Sequence, residues 1–190
     1  MRAFIAIELP QDLKQSLAQL QDKLKAAAAD LKWVKPENIH LTLKFLGEIE
    51  AQKQEEIANI IEAIAGKTSP FSLRICSLGA FPKRDFPRVI WVGLDKGAQE
   101  AEKIAQGLEE KLELLGIPGE ERPFSAHITL GRVKSNLNRE KLVGLLTALQ
   151  DNFQAGKAEF RVTKITFFKS TLTPKGPLYE ALKTINLKTD

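Results

Sequence analysis

One four-residue motif occurs twice in this chain of 190 residues and constrains its fold more than any other feature. The first copy is His40-Leu-Thr-Leu, the second is His127-Ile-Thr-Leu, and the sequence contains no other histidine. The two copies lie 87 residues apart, which is nearly half of the chain. A motif repeated at such a distance indicates two copies of one supersecondary unit.

The residues around the two motifs repeat at nearly the same distance. Arg161 follows Arg74 by 87 residues, and helix-type stripes of apolar residues recur at separations of 88 and 85 residues. Apolar stripes alone can be aligned in any chain that mixes helices and strands. The evidence for a repeat is that the stripes and the polar motif recur at nearly the same separation. We therefore predict pseudo-repeats at approximately residues 1–87 and 88–187.

Apolar periodicity predicts strands and helices in both halves. Strands are expected near residues 4–9, 39–46, 71–78, 89–94, 125–133, 159–168 and 179–187, and helices along 13–24, 57–64, 101–115 and 142–149. A loop containing Gly79, Pro82 and Pro87 is expected between the third and fourth strands. No Gly- or Ser-rich linker separates the halves, so we expect one bilobed domain over residues 1–190, with lobes that are not contiguous in sequence.

The composition is that of a folded protein, with 43% hydrophobic and 27% charged residues. A single cysteine, Cys76, excludes an intramolecular disulfide and favours a reducing, cytoplasmic location. No apolar stretch approaches the length that crosses a bilayer, so we expect no membrane contact. The net charge of +4 favours an anionic partner, although many proteins share this balance.

Each motif places an imidazole and a hydroxyl on the same side of a strand. Alternate side chains share a face, so His40 lies beside Thr42, and His127 beside Thr129. If the two strands face each other, the cleft between them holds two imidazoles and two hydroxyls. One imidazole can then take a proton from an attacking oxygen while the other protonates a leaving oxygen, and the hydroxyls can bind phosphate oxygens. This pattern predicts phosphodiester cleavage.

Two other chemistries fit these residues poorly. A metal site needs further ligands, and the sequence has no His-x-His pair, no His-Glu-x-x-His and no carboxylate cluster beside either motif. A serine nucleophile needs a nucleophile elbow, which is also absent from the sequence. We therefore expect neither a metal nor another cofactor. A lone histidine is usually structural, but the same x-Thr-Leu tail at both sites favours a function.

The motifs and their flanking residues resemble the two-histidine (2H) phosphoesterases, and within them the RNA 2′,3′-cyclic phosphodiesterase group, also called 2′-5′ RNA ligases. The resemblance covers essentially the whole chain and includes His40-Leu-Thr-Leu-Lys-Phe-Leu-Gly47, His127-Ile-Thr-Leu-Gly-Arg132 and Leu172-Thr-Pro-Lys-Gly-Pro-Leu-Tyr179. It implies a duplicated α+β fold in which two antiparallel sheets line a central cleft, with helices outside. It also implies metal-independent hydrolysis of an RNA or nucleotide 2′,3′-cyclic phosphate to the 2′-phosphate.

The resemblance also implies a role for each motif residue. His40 would be the proton donor to the leaving 3′-oxygen, and His127 the proton acceptor that activates water. Thr42 and Thr129 would bind the phosphate. The two motifs are chemically equivalent, so their residues alone leave the choice of donor and acceptor open.

Three residues beside the motifs are harder to place. Phe45 and Arg132 match positions that lie near the base and the phosphate in the family, yet strict alternation puts both on the face opposite the histidines. Either the strands bulge after the motif, or the two residues are structural. We favour a ligand or lobe contact for Arg132 and leave Phe45 open. Alternation places Lys44 on the histidine face, where it could contact phosphate or lie in solvent at the rim.

Three functions remain open from the sequence. Hydrolysis is favoured because water is abundant, whereas a 2′-5′ RNA ligase would use the same histidines in reverse on paired RNA ends such as tRNA halves. A nucleotide- or RNA-binding module without turnover would not need two titrating groups. The expected partners are RNA ends or small cyclic nucleotides, with no obligate protein partner. We expect a monomer because a complete cleft fits within one chain.

Overall fold

A computed structural model describes residues 1–151 and 158–188 of the protein. Within these residues the fold is α+β, as predicted, with two antiparallel sheets. Its elements are β1 (Arg2–Glu8), α1 (Gln11–Lys25), β2 (Leu31–Trp33), β3 (His40–Glu48), α2 (Gln54–Ala65), β4 (Phe71–Lys83), β5 (Phe86–Leu94), α3 (Ala98–Glu113), β6 (His127–Val133), α4 (Arg139–Asp151), β7 (Glu159–Val162), β8 (Lys164–Thr173) and β9 (Gly176–Asn186). Short 3-10 helices at Pro36–Asn38 and Ala51–Lys53 precede β3 and α2.

Each of the two sheets combines strands from both halves of the sequence. The first sheet has the order β3-β1-β8-β9, and the second has the order β2-β6-β5-β4-β7. The N-terminal strand β1 pairs with β8 from the second half, while β4 from the first half pairs with β5. Neither half of the sequence therefore completes a sheet on its own.

The helices pack on the sheets through their apolar faces. Helix α1 begins directly after Pro10 and buries Leu13, Leu17 and Leu24, which follow the predicted helical spacing. Helices α2 and α3 contact each other and strands of the first sheet, whereas α4 contacts β4 and β5 of the second. Buried side chains from all of these elements form one core cluster. Among the described residues, no helix is both long and apolar enough to span a membrane.

The loop predicted around Gly79 is wrong, because this segment belongs to a long hairpin. Strand β4 continues to Lys83, and β5 starts at Phe86 after a two-residue turn. A Cβ at Gly79 would lie 2.5 Å from ring carbons of Trp91, the residue opposite it on β5. The glycine is thus needed for the close approach of an indole ring within a sheet rather than for a turn.

Candidate active site

The two motif strands lie in different sheets: β3 is the edge strand of the first, and β6 lies between β2 and β5 in the second. Strand β3 pairs with β1, placing His40 opposite Glu8, and β6 pairs with β5, placing His127 opposite Gly93. Strands β3 and β6 also contact each other, so the sheets meet along the strands that carry the motifs. The buried Gln21 of α1 supports this junction, because its Nε2 donates hydrogen bonds to the carbonyls of Val34 and Leu130.

His40 is held on both sides of its ring. Its Nδ1 donates a hydrogen bond to the carbonyl of Asn38 at 2.7 Å, and its Nε2 lies 2.9 Å from the Thr42 hydroxyl oxygen. Phe4 stacks on the imidazole with ring centroids 4.9 Å apart, and Tyr179 meets it edge-on at 5.5 Å. Because a carbonyl can only accept, Nδ1 carries a proton, and the lone pair of the neutral ring is on Nε2, beside Thr42.

His127 is held in the same way at its Nδ1. This nitrogen donates to the carbonyl of Ser125 at 2.7 Å, two residues upstream, as Asn38 is two residues before His40. Phe81 meets the ring edge-on at 5.0 Å, and Trp91 lies at 6.3 Å. Both histidines therefore have the same orientation relative to their own strands and direct Nε2 away from the backbone.

The pKa values of both histidines are lowered, chiefly by burial. Burial lowers the pKa of His40 from 6.5 to about 4, while the Asn38 carbonyl raises it and the charges of Lys14 and Glu8 act in opposite directions. Burial also lowers the pKa of His127; the Ser125 carbonyl opposes this, and the positive charge of Arg132 adds to it. Both imidazoles are thus neutral at pH 7.

A one-residue bulge at Leu43, the last residue of the first motif, determines the face on which Phe45 lies. Ile5 pairs with Lys44 and Ala6 pairs with Thr42, so Leu43 is the extra residue of β3. Because a bulge shifts the alternation by one residue, Phe45 returns to the histidine face. There it lies opposite Phe4, with ring centroids 6.4 Å apart, and its side chain is 53% exposed. Phe45 is therefore not part of the core.

The same bulge occurs in β6 and returns Arg132 to the histidine face. Ile90 pairs with Gly131 and Trp91 pairs with Thr129, which leaves Leu130 as the extra residue. Arg132 is exposed. Burial raises the pKa of Tyr179 and lowers that of His127; the positive charge of Arg132 opposes the first shift and adds to the second. Since Tyr179 belongs to the first sheet and Arg132 to the second, the charge of Arg132 acts on a group of each sheet.

The placement of Lys44 on the histidine face is wrong, for the same reason. The bulge turns Lys44 towards α3, where its side chain is only 2% exposed. Its Nζ donates to the carbonyl of Pro118 at 2.9 Å and forms an ion pair with Glu109 at 2.9 Å. Glu120 lies farther away, at 3.9 Å. Lys44 is neither a phosphate ligand nor a solvated rim residue.

Several residues beside the histidines were not found from the sequence. The carbonyls of Asn38 and Ser125 orient the two imidazoles, but a backbone carbonyl leaves no signal in residue identity. In the sequence, Phe4 is one of several apolar residues of a strand. Only the pairing of β1 with β3 shows that its ring stacks on His40. Glu8 interrupts the apolar run of β1, which was a usable signal; it lies opposite His40, and its carboxylate accepts a hydrogen bond from Thr166 at 2.7 Å.

Aromatic side chains line both histidines, but Trp33 is not among them. A Cβ added to Gly131 would lie 2.9 Å from the Trp33 ring, so the indole covers Gly131 on the side opposite the histidines and packs on the core. Tyr179 and Phe81 are the ring neighbours of His40 and His127 respectively. In residues 1–151 and 158–188, no three His, Cys, Asp or Glu side chains form a group that could hold a metal ion.

Comparison with known proteins gives one consistent family. The model of the LigT like Phosphoesterase family matches residues 7–91 and again residues 92–179, and each match contains one His-x-Thr motif. A protein of Methanothermobacter thermautotrophicus called RNA 2′,3′-cyclic phosphodiesterase is 35% identical over 187 residues, which cover 98% of this chain and 99% of the relative. A protein of Methanocaldococcus jannaschii with the same name is 37% identical over 183 residues, covering 96% of this chain and 99% of that protein.

The fold is shared with solved structures as well. The crystal structure of TT0787 from Thermus thermophilus superposes with a TM-score of 0.80 at 29% sequence identity, covering 99% of this chain and 98% of that one. The similarity therefore extends over both sheets and over both motif strands.

Proposed function

We propose that this chain, which belongs to the LigT-like phosphoesterase family, hydrolyses an RNA or nucleotide 2′,3′-cyclic phosphate to the 2′-phosphate. The main support is the matched geometry of the two histidines. Each holds its Nδ1 proton on the carbonyl two residues upstream, which leaves Nε2 as the titrating atom. Two such groups where the sheets meet form an acid and base pair that needs no metal.

The reaction needs one proton to be removed and one to be supplied. A water oxygen forms a bond to phosphorus while the bond from phosphorus to the 3′-oxygen breaks. His127 takes the proton of the attacking water on Nε2, and His40 gives its Nε2 proton to the departing 3′-oxygen. The product keeps the phosphate on the 2′-oxygen, and proton exchange with solvent restores both rings.

We assign the acid to His40 and the base to His127, as in the family resemblance. Burial lowers the pKa values of both rings, so this choice follows the family resemblance rather than the titration of either histidine. His40 must be protonated to act as an acid, although burial lowers its pKa to about 4. The phosphate of the substrate opposes this effect, because a nearby anion stabilises the imidazolium ion.

The threonines and the two bulge residues have supporting roles in this proposal. Thr42 and Thr129 donate hydrogen bonds to the non-bridging phosphate oxygens, whose charge increases in the transition state. Phe45 presents an exposed ring on the histidine face and contacts the base of the substrate. Arg132 contributes positive charge near the phosphate.

Because both motif strands belong to one chain, we also propose that the protein acts as a monomer, and we place it in the cytoplasm.

The decisive experiment uses 2′,3′-cyclic nucleotides and oligonucleotides that end in a cyclic phosphate, assayed in EDTA. We expect hydrolysis, with the phosphate position of the product read by phosphorus NMR as 2′. The variants His40→Ala and His127→Ala should each lose a factor of about 10²–10⁴ in kcat. A 3′-phosphate product, or full activity in either variant, contradicts the proposal. Joined RNA instead of hydrolysed ends would establish the ligase direction.

A further inference from the structure

Lys44 is a buried cation on the strand that carries the first motif, and the reaction does not use it. Its ammonium group contacts the carbonyl of Pro118 and two carboxylates, Glu109 at 2.9 Å and Glu120 at 3.9 Å. Glu109 also accepts a hydrogen bond from the backbone N–H of Glu120. This group of side chains connects β3 to α3 and to the loop that follows α3.

The position of Lys44 in the strand gives this contact its significance. Leu43 and Lys44 are consecutive and both are buried, which a regular strand with one face against the core does not allow. The bulge at Leu43 makes it possible, and it also turns Phe45 to the histidine face. A strand without the bulge would place Lys44 in the cleft and Phe45 against the core.

The second motif strand has the same bulge with a different residue at the equivalent place. There Gly131 follows Leu130, and the Trp33 ring lies so close that a Cβ at Gly131 would be 2.9 Å from it. In β6, the indole of Trp33 packs on Gly131 and fills the side of the strand that faces away from the histidines. In β3 the long side chain of Lys44 occupies that side, and its charge requires partners there.

We propose that Glu109, assisted by Glu120, is a positioning residue for the substrate base: it holds Lys44 on the α3 side, which fixes the bulge and keeps Phe45 on the histidine face. Without these carboxylates the ammonium group is more stable in the solvated cleft. Lys44 then turns outward and the bulge is lost, so Phe45 moves towards the core. The effect on substrate rests on the proposed function, whereas the effect on Phe45 does not.

The first test measures the position of residue 45 without any substrate. The Phe45→Cys substitution is made together with Cys76→Ser, which leaves one thiol in the chain, and its reaction rate with a thiol reagent is measured. Adding Glu109→Gln and Glu120→Gln should slow labelling about tenfold or more, because residue 45 turns inward. Adding Lys44→Met as well should restore the rate, since an apolar side chain stays buried without carboxylates. Unchanged labelling in the first case overturns the proposal.

The second test separates positioning from general loss of structure. In the Glu109→Gln/Glu120→Gln variant, kcat/KM for a 2′,3′-cyclic nucleotide should fall about tenfold through KM, as in Phe45→Ala. Ribose 2′,3′-cyclic phosphate, which has no base, should be hydrolysed as by the unsubstituted protein. Lys44→Met in the same background should restore the nucleotide KM, and Glu102→Gln, an exposed change on the same helix, should have no effect.

Equal losses on both substrates, or no recovery with Lys44→Met, would show that the carboxylates support stability alone. If neither substrate is hydrolysed by the unsubstituted protein, the proposed function fails, and the labelling result still decides the position of Phe45.

Discussion

His40 and His127 are oriented by the same kind of backbone contact, but the side chains around the two rings differ. Each donates from Nδ1 to the carbonyl two residues upstream. His40 is stacked on Phe4, whereas the positive charge of Arg132 contributes to the lowered pKa of His127. Burial is the largest influence on both pKa values. Two copies of one motif therefore place their imidazoles in different surroundings.

A ligand anion should change the titration of both rings. We expect His40 to titrate near pH 4 in the free protein and His127 below its ordinary value of 6.5. Inorganic phosphate or a 2′-nucleotide should raise both pKa values, because an anion stabilises the imidazolium ion. Nitrogen-detected NMR of the two imidazoles as a function of pH measures this. A free His40 that titrates at its ordinary pKa would contradict the burial seen in the structure.

The same shift has a consequence for stability. The unfolded chain binds a proton at His40 below about pH 6.5, whereas the folded protein does not bind it until about pH 4. The free energy of unfolding therefore decreases as the pH falls through this interval, by up to about 3 kcal/mol from this group. His40→Gln lacks this contribution, and urea unfolding at pH 7.5 and pH 4 should show a smaller difference for it. An identical pH dependence in both proteins would contradict the prediction.

The motif threonines can be tested by shape-matched changes. Thr42→Val keeps the branched side chain and removes the hydroxyl, so kcat/KM for a 2′,3′-cyclic nucleotide should fall about 10²–10³-fold. Thr42→Ser keeps the hydroxyl and should retain most of the activity. The same pair of changes at Thr129 should behave alike. Steady-state kinetics give the comparison, and an active Thr42→Val variant would remove Thr42 from the phosphate site.

At the scale of single elements, the bulges decide what each motif strand presents. Both occur at the Leu that ends the motif, and both return the next exposed residue, Phe45 or Arg132, to the histidine face. The two strands reach this result with different residues on the other side, a buried lysine in β3 and a glycine in β6. The motif repeats in the sequence, whereas the residues that pack behind the bulge differ between the two strands.

Gly131 should not tolerate a side chain. In Gly131→Ala the Cβ would lie 2.9 Å from the Trp33 ring, so the ring or the strand must move. We expect a loss of about 1–3 kcal/mol in the free energy of unfolding, together with a higher KM because Arg132 is the next residue. Thermal unfolding and kinetics measure the two effects.

The matched control is Gly144→Ala within α4. A Cβ at that position would have no atom within 4 Å, so this change should be neutral or stabilising by up to about 1 kcal/mol. Equal effects of the two substitutions would contradict the close packing of Trp33 on Gly131.

At the scale of the whole molecule, the halves of the sequence exchange strands. Strand β8 completes the first sheet beside β1, and β4 completes the second beside β5. This arrangement brings together the strands that carry the two histidines, which come from different halves of the sequence. It also makes each half incomplete, because its sheet lacks a central neighbour and leaves an apolar edge uncovered.

We therefore expect that residues 1–87 and 88–190, produced separately, do not fold cooperatively. Circular dichroism during heating should show no sharp transition for either fragment. Produced together, the fragments should associate and regain both the transition and cyclic phosphodiesterase activity. A fragment that unfolds cooperatively on its own would contradict this expectation.

The sequence by itself determined the α+β class, most of the elements and the side chains shared by both motifs. Apolar periodicity and strand alternation are local properties, so they predicted the helix from Leu13 to Leu24 and the common face of His40 and Thr42. The hairpin around Gly79 was missed because glycine usually marks a turn, and only the neighbouring Trp91 shows why it lies within a strand.

The tertiary structure alone decided which residues join the motifs. A bulge depends on pairing with another strand, so alternation along β3 placed Phe45 and Lys44 on the wrong faces. Orientation of the two imidazoles depends on backbone carbonyls, which are the same for every residue type. The pKa values depend on burial, a property of the packed chain. The repeated motif identified the two histidines from the sequence, whereas their surroundings depend on strands that are distant in the chain.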